Sequence, residues 1–362
     1  MTKEKISYII NSISLPDYSL INKTQKLLDN LTKPKNSLGD LEEMAKKIAA
    51  ITNNVAPKIK KKYLFVLAAD HGVAEENVSA YPQEVTFQMV LNFIKKGAAI
   101  NVFTEHTDTN IFIVDMGVKG DFSYLEKEEI FVDKKINPGT KNFLKEPAMS
   151  KDEAENAILC GIELVEKVLD LHDPENGEIL LVGIGDMGIG NTTTASAITA
   201  LITKTEVEKI VGRGTGVDDF RYKNKIEVIK KVLNRYEFNL NDAVDILSKI
   251  GGYEIAGMVG IILACARYKI PLVLDGFITT SAALVALCMS EKIKEYLFAG
   301  HLSREPGHRI QLEFLGLKPI LNLNMALGEG TGACLAMDIL ELSCKILHEM
   351  STFDEARVSR QL

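Results

Sequence analysis

Four short, continuously apolar runs, each leading into an aspartate or a glycine, constrain the fold of this chain most strongly. Apolar residues without alternation are expected for parallel strands whose two faces are both covered. Helical patterns lie between the runs, so the sequence predicts a doubly wound α/β fold with a mostly parallel sheet. The predicted strands cover residues 63–69, 110–114, 178–182 and 270–274, and predicted helices include residues 85–93, 151–169, 225–236 and 257–267.

The two ends of the chain have a different pattern from its middle. Residues 1–60 are helical in pattern without clear strand runs, and from about Gly332 the pattern is one helix followed by a polar tail. At roughly 150 residues per domain, a chain of 362 residues suggests one large domain and a smaller one. We therefore predict a large α/β catalytic domain at 61–335 and a small helical domain formed by 1–60 and 336–362.

The composition narrows the class of protein. An apolar fraction of 46% and a charged fraction of 25% are ordinary for a globular protein with a substantial core. A net charge of -7 argues against a general nucleic-acid binder, which needs a basic face to neutralise phosphates. No segment reaches the roughly 18 apolar residues of a membrane span, and the first residues lack the pattern of a secretory signal.

The cysteines indicate the compartment. Their number is odd, no two have CxxC spacing, and they lie in apolar runs, which favours buried thiols over disulfides or a metal site. We therefore expect a reducing, cytoplasmic setting. The five cysteines are Cys160, Cys265, Cys288, Cys334 and Cys344. The spacing of His301 and His308 also suits no common metal motif.

A glycine-rich segment from Gly183 to Thr193 follows the third predicted strand and opens a helix. Glycines let the backbone turn tightly and approach a ligand closely. The helix start adds free N–H groups and the positive end of its dipole. Ligands of open parallel sheets bind beyond the carboxyl ends of the strands. The segment is therefore a candidate phosphate site, although a glycine turn needed only for close packing is the alternative.

The same segment contains G-x-G-x-x-G, which raises the alternative of a nicotinamide-dependent oxidoreductase. That class needs an acidic residue about 20 positions later, at the end of a second strand. Glu206 and Glu208 lie instead in a polar segment, which disfavours dinucleotide binding. A Walker lysine is missing from the segment, so a P-loop ATPase is excluded.

A second glycine loop spans residues 212–216 and is followed by Asp218 and Asp219, which can cap and start the next helix. Lys225 lies about two turns inside that helix. It has two interpretations, a phosphate contact or a solvated lysine on a charged helix.

A third loop, residues 327–332, places Glu329 between two glycines at a helix start. A tight turn does not itself need an acid. If the loop is partly buried, the pKa of Glu329 would rise, and the carboxylate could accept a proton near neutral pH. The alternative is an acid that is favoured at a helix start by the dipole.

In combination, these motifs resemble the nicotinate-nucleotide:dimethylbenzimidazole phosphoribosyltransferases. The resemblance runs from residue 32 to past residue 332. The matching stretches are residues 32–34, 37–39, 41–42, 70–73, 79–86, 88–93, 97–102, 187–193, 212–216, 251–256, 274–277, 305–309 and 327–332.

The resemblance implies a Rossmann-like parallel sheet, a small helical domain and a homodimer. It implies transfer of the 5-phosphoribosyl group from β-nicotinate mononucleotide to 5,6-dimethylbenzimidazole, giving α-ribazole 5'-phosphate and nicotinate for cobalamin assembly. No metal or redox cofactor, no nucleic acid and no membrane partner is expected.

The resemblance also implies residue roles. Glu329 matches the proposed catalytic base, and Asp186 matches a second acid near the ribose. The segment that wraps the phosphate and ribose is Met187, Gly188, Ile189, Gly190 and Asn191, with further phosphate contacts expected from Gly212, Gly214 and Lys225. The walls of the pocket for the accepting base are expected to be Ser79, Tyr81, Gln88 and Leu327.

Two positions depart from the family pattern. Asp186 replaces the usual glutamate, and Lys35-Asn36 replaces the usual Pro-Gly. The shorter acid at 186 leaves open an inactive binding subunit that pairs with an active partner. A family member specific for another acceptor, such as adenine, a different benzimidazole or a phenol, is the other alternative. His71 has two interpretations, a wall of the site or a hydrogen-bonding turn residue.

Overall fold

Seven parallel strands form the centre of the part of the protein that the structure describes. The computed structural model describes residues 2–125, 129–171, 178–214 and 216–360. Thr215 of the second glycine loop, and residues 1, 361 and 362 of the predicted helical domain, lie outside the described residues. The strands are β1 Lys58–Ala69, β2 Asn110–Gly117, β3 Phe131–Asp133, β4 Glu178–Met187, β5 Leu272–Leu274, β6 Leu297–His301 and β7 Pro319–Leu321.

The sheet order is β3-β2-β1-β4-β5-β6-β7, and each neighbouring pair is parallel. The chain adds β2 and β3 on one side of β1, and then adds β4 to β7 on the other side. The direction of winding therefore reverses between β1 and β4. In a doubly wound sheet, the crevice outside the carboxyl ends of the strands at such a reversal is where ligands bind. The predicted α/β class is confirmed.

Helices cover the sheet and extend beyond it. They are α1 Thr2–Asn11, α2 Ser19–Asp29, α3 Asp40–Thr52, α4 Val85–Ile94, α5 Ala99–His106, α6 Lys151–Asp170, α7 Asn191–Thr203, α8 Val207–Ile210, α9 Asp219–Arg235, α10 Ala243–Ile250, α11 Tyr253–Arg267, α12 Phe277–Met289, α13 Pro306–Leu315, α14 Thr331–Glu349 and α15 Phe353–Ala356. Short 3-10 turns occupy Gly72–Glu76, Ser123–Leu125 and Glu291–Tyr296.

Two helices pack on opposite faces of the central strands. Leu64 and Leu67 of β1 are three residues apart, so their side chains point to opposite faces. Leu64 lies near Met337 of α14, with both close to Gly183, whereas Leu67 lies against Gly257 of α11. These two layers bury the apolar runs that predicted the strands.

The predicted domain boundary falls inside a continuous helix. α14 runs from Thr331 to Glu349 and passes through 335/336 without a break, while it packs on β1, β4 and β6. The amino-terminal residues form α1, α2 and α3, and α3 packs against α14. The division of the chain into two domains stays a prediction.

α6 and α11 cross closely enough to require glycine. A Cβ at Gly161 would lie 1.9 Å from the carbonyl oxygen of Gly257, and one at Gly260 would lie 1.9 Å from the carbonyl oxygen of Ile158. Gly161→Ala is therefore expected to lower the free energy of unfolding by about 1–3 kcal/mol through overpacking. Urea denaturation measures this change, with Asn156→Ala on the same helix as the control for helix propensity. An unchanged or higher stability of Gly161→Ala would contradict the close crossing.

Candidate active site

A cleft lies beyond the carboxyl ends of β4, β5 and β6. Its walls come from the glycine loop after β4, from the residues that follow β5 and β6, and from residues 326–328. The cleft thus lies beside the reversal of winding, where the sheet topology predicts a ligand.

The loop after β4 needs its glycines. A Cβ at Gly188 would lie 2.4 Å from the carbonyl oxygen of Ala69, and Gly190 has a φ of 98°. Asn191 starts α7, and its side-chain Nδ2 donates a hydrogen bond of 2.8 Å to Oδ2 of Asp186. The loop therefore places the start of α7 at the wall of the cleft, and a helix start is an arrangement that can bind phosphate.

The third glycine loop holds Glu329 next to Asp186. Residues Gly328, Glu329 and Gly330 all have positive φ values, of 85°, 61° and 87°. A non-glycine residue in this region costs roughly 1 kcal/mol, and such strain clusters at functional sites. The N–H of Glu329 donates to the carbonyl oxygen of Asp186 at 3.2 Å. The glutamate therefore lies next to two residues of the cleft wall, Asp186 and Gly328, although its backbone conformation is unfavourable.

The Glu329 carboxyl is buried, with 6% of the residue exposed. Burial raises its pKa, and the N–H of Ile100, which donates to Oε2 at 3.4 Å, acts in the opposite direction. The sequence predicted that Glu329 could accept a proton if its loop was partly buried, and the loop is partly buried.

Asp275 is an acid in the wall of the cleft that the sequence did not single out. It follows β5, and its carboxylate accepts hydrogen bonds from the N–H groups of Gly330, Gly332 and Ala333, at 3.1, 2.6 and 3.1 Å. Burial raises its pKa to about 7, against the effect of these donors. The available signal was its place directly after a predicted strand.

Asp186 belongs to the same acidic cluster. Its pKa is raised well above the ordinary value, first by burial and then by the charges of Asp275 and Glu254. Asp186, Asp275 and Glu329 therefore hold protons more tightly than exposed carboxylates do, which suits proton transfer near neutral pH.

Lys225 is buried beside Thr192, at the start of α7. Only 1% of the residue is exposed, and Nζ donates to Oγ1 of Thr192 at 2.8 Å. Burial lowers its pKa to about 8. The interpretation as a solvated lysine is therefore wrong. The Asp218 side chain accepts from the N–H of Arg221, which confirms the predicted cap of this helix.

The second glycine loop contacts Glu305 and approaches Thr192 at the start of α7. The N–H of Gly214 donates to Oε1 of Glu305 at 3.1 Å, and a Cβ at Gly212 would clash with the same carboxylate. A Cβ at Gly214 would also lie 3.2 Å from Oγ1 of Thr192. The fold thus brings together both glycine loops and Lys225, and it adds Glu305, which the sequence did not indicate.

The residues predicted to hold the accepting base are more exposed. Tyr81 and Leu327 are 52% and 57% exposed, Gln88 is also exposed, and Ser79 is half-buried. Leu327 lines the cleft. The other three lie before or within α4, and this segment is joined to the loop after β4 by the N–H of Ile189, which donates to Oγ1 of Thr86 at 3.1 Å.

The other candidate residues, His71 and the cysteines, lie in surroundings that suggest a structural role. His71 is fully buried, hydrogen-bonded on both ring nitrogens, and is therefore a structural turn residue. All five cysteines are free thiols, as expected. Within the described ranges, no group of three or more His, Cys, Asp or Glu side chains could hold a metal ion. No helix in the same ranges is long and apolar enough to cross a membrane.

Comparison with known proteins decides the family. A family model described as phosphoribosyltransferase matches residues 13–358. The chain belongs to this phosphoribosyltransferase family. It is therefore an enzyme of the pentosyltransferase class, and the interpretation as an oxidoreductase is wrong.

Known relatives align with this phosphoribosyltransferase over nearly the whole of its chain. Nicotinate-nucleotide–dimethylbenzimidazole phosphoribosyltransferase of Desulforamulus reducens is 48% identical over 352 residues, covering 97% of this chain and 98% of the relative. The protein of the same name from Citrifermentans bemidjiense is 46% identical over 356 residues, covering 98% and 99%. The crystal structure of CobT from Thermus thermophilus has a TM-score of 0.88 and 45% identity, covering 95% and 100%.

Proposed function

We propose that this phosphoribosyltransferase moves the 5-phosphoribosyl group of β-nicotinate mononucleotide to 5,6-dimethylbenzimidazole, giving α-ribazole 5'-phosphate and nicotinate in cobalamin assembly. The relatives' shared name supports this substrate pair. The observation that carries the proposal is one cleft that combines a glycine loop and a helix start with the carboxyls of Asp186 and Asp275, next to Glu329, and the pKa values of all three acids are raised.

The glycine loops and Lys225 orient the donor. The 5'-phosphate would lie against the N–H groups at the start of α7, beside Met187 to Asn191, with Gly212, Gly214 and Lys225 on the other side. Binding energy from the phosphate then fixes the ribose at the reacting centre. Nicotinate leaves as a pyridine from a pyridinium, so positive charge develops on the ribose and no acid is needed for departure.

The acceptor attacks the ribose from the face opposite to nicotinate, which converts a β donor into an α product. After attack, the other ring nitrogen of the azole still carries a proton. Glu329 takes this proton as the general base. Asp186, whose pKa is raised by burial, holds a ribose hydroxyl. The walls around the acceptor are Ser79, Tyr81, Gln88 and Leu327.

We also propose that the enzyme is a homodimer in the cytoplasm. Tyr81, Leu327 and Leu323 are each more than half exposed, and a second copy would remove their apolar surface from water. Five free thiols suit a reducing compartment. Light scattering on the purified protein and fractionation of cells test these two statements.

The reaction is tested by product identification. The purified enzyme is incubated with nicotinate mononucleotide and a mixture of dimethylbenzimidazole, benzimidazole, adenine and p-cresol, and the products are identified by mass spectrometry. We expect α-ribazole 5'-phosphate together with free nicotinate. Preferred formation of another ribotide would identify a different base as the acceptor. The absence of any product would favour the interpretation as an inactive binding subunit.

Lys225→Met is expected to raise KM for nicotinate mononucleotide about 10- to 100-fold, since a charge-assisted hydrogen bond contributes about 1.5–3 kcal/mol. Methionine keeps the length of the buried side chain but removes its charge. Steady-state kinetics at saturating acceptor measure the effect. Lys231→Met, on the same helix, is the control for a lost positive charge. An unchanged KM in Lys225→Met would remove Lys225 from the phosphate site.

Activity is expected to fall as the pH is lowered. The fall should occur at a higher pH than it would if Glu329 had the ordinary pKa of a glutamate. A base must be ionised, so activity is present above the pKa of Glu329 and is lost as pH falls through it. Burial raises that pKa above its ordinary value of 4.5. Measurement of kcat/KM between about pH 5 and pH 9 reports this ionisation in the free enzyme. A rate that stays constant down to the acid limit of folding would contradict the role of Glu329.

A further inference from the structure

His71 lies at a junction that the proposed chemistry does not use. It follows β1, and none of its surface is exposed. Its ring nitrogen Nε2 lies 2.6 Å from Oε1 of Glu254, and Nδ1 lies 2.9 Å from Oγ1 of Thr194. Thr194 is in the first turns of α7, and Glu254 is in the first turn of α11. The imidazole thus joins the starts of two helices to the end of β1.

The phosphate loop lies directly on this histidine. A Cβ at Gly190 would lie 3.1 Å from Cβ of His71, and one at Gly188 would lie 3.4 Å from its Cδ2. On the opposite side, a Cβ at Gly252 would lie 2.4 Å from Cε1 of His71. Glycines on both sides therefore let the backbone approach the ring, and the position of the ring fixes the position of the loop.

The same residue reaches the acceptor side. Its backbone carbonyl oxygen accepts a hydrogen bond of 3.0 Å from Nε2 of Gln83. Gln83 lies between Tyr81 and Gln88, in the segment proposed to hold the accepting base. His71 consequently contacts the elements that hold both substrates, although no atom of it lines the cleft.

We propose that His71, through Thr194 and Glu254, is a positioning residue that sets the distance between the donor ribose and the attacking nitrogen. This inference rests on the proposed function. Transfer between two bound molecules depends steeply on their separation, and a misplacement of about 1 Å can cost 10²-fold in rate. Both partners of His71 are fully buried, so water cannot replace its hydrogen bonds without rearrangement.

The threonine provides the sharpest test. Thr194→Val keeps the shape of the side chain and removes its hydroxyl, whereas Thr194→Ser keeps the hydroxyl. We expect kcat of Thr194→Val to fall about 10- to 100-fold, with KM for nicotinate mononucleotide changed by less than about threefold. Thr194→Ser should remain within about twofold of the wild type. His71→Gln, which reaches Glu254 but not Thr194, should be as slow as Thr194→Val.

A second threonine controls for loss of stability alone. Thr199 is also fully buried in α7, and its hydroxyl donates to the carbonyl oxygen of Ala195 and accepts from Gln311. Thr199→Val should lower Tm as Thr194→Val does, but leave kcat unchanged. The proposal would be overturned by a wild-type kcat in Thr194→Val or in folded His71→Gln. It would also be overturned if Thr194→Ser lost as much kcat as Thr194→Val. If His71→Gln fails to fold, the threonine variants decide.

Failure of the proposed function is distinguishable from failure of this inference. Turnover of nicotinate mononucleotide by the wild-type enzyme is measured first, and its absence contradicts the proposed function. The inference is then tested by calorimetric binding of nicotinate mononucleotide. Binding by Thr194→Val within about threefold of binding by Thr199→Val would support a loss confined to the transfer step, whereas much weaker binding would overturn the proposal by assigning the loss to donor binding.

Discussion

Glu329→Gln is expected to lower kcat by about 10²–10⁴-fold, the usual contribution of a general base. Glutamine has the same shape and can still accept the hydrogen bond from the N–H of Ile100, which is 3.4 Å from Oε2 in the wild type. It cannot take the azole proton. KM for nicotinate mononucleotide should change little, because the phosphate loop and Lys225 are untouched. Single-turnover kinetics, which separate binding from chemistry, measure the effect.

The matched control is Glu105→Gln. Glu105 is an exposed acid on α5, the helix that also carries Ile100. The substitution Glu105→Gln gives the same change in net charge at a site away from the cleft. The kcat of this variant should equal that of the wild type. Near-wild-type turnover by Glu329→Gln would assign the proton to another group of the acidic cluster, with Asp186 as the next candidate.

Asp275→Ala is expected to lower the free energy of unfolding by about 3–9 kcal/mol. The substitution leaves the N–H groups of Gly330, Gly332 and Ala333 without their acceptor in a buried position. Each orphaned group costs about 1–3 kcal/mol. Because the whole stability of a domain is about 5–15 kcal/mol, this loss would be visible in a simple denaturant titration. Activity should also fall, since Glu329 precedes the three orphaned groups.

Asp275→Asn is the matched variant, because it keeps an acceptor oxygen but cannot ionise. The pKa of Asp275 is about 7 in the folded protein and 3.8 ordinarily. Between these values the folded state binds more protons than the unfolded state. The contribution of Asp275 to stability therefore falls as pH rises through this window, by up to about 1.4 kcal/mol per pH unit. Asp275→Asn should lack that slope, and an equal slope in both proteins would contradict the raised pKa.

Local backbone requirements made several features predictable. The strands were recognised because residues buried on both faces are apolar at every position, although β1, β2 and β4 proved longer than the apolar runs. β3, β6 and β7 were missed, and β3 and β7 have only three residues each, which is too few to show a period. The loop of Glu329 was recognised because its glycines adopt positive φ values that other residues rarely adopt.

Burial of individual charged groups was not predictable in the same way. The sequence left Lys225 open between a phosphate contact and a solvated lysine, and only the packing of α9 against α7 shows that it is buried on Thr192. His71 likewise had two interpretations until Glu254, 183 positions away, was found beside it. Asp275 carried no sign of its three N–H donors, which lie more than 50 positions along the chain.

The sequence by itself determined the α/β class, the glycine loops at the strand ends and the choice of Glu329 as a candidate base. Each of these depends on residues that are close together in the chain, through steric limits on φ or through continuous burial. The tertiary structure alone decided which acids share one cleft, which of their pKa values rise, and what His71 contacts. Those properties depend on desolvation and on partners from distant segments, which meet only when the sheet is assembled.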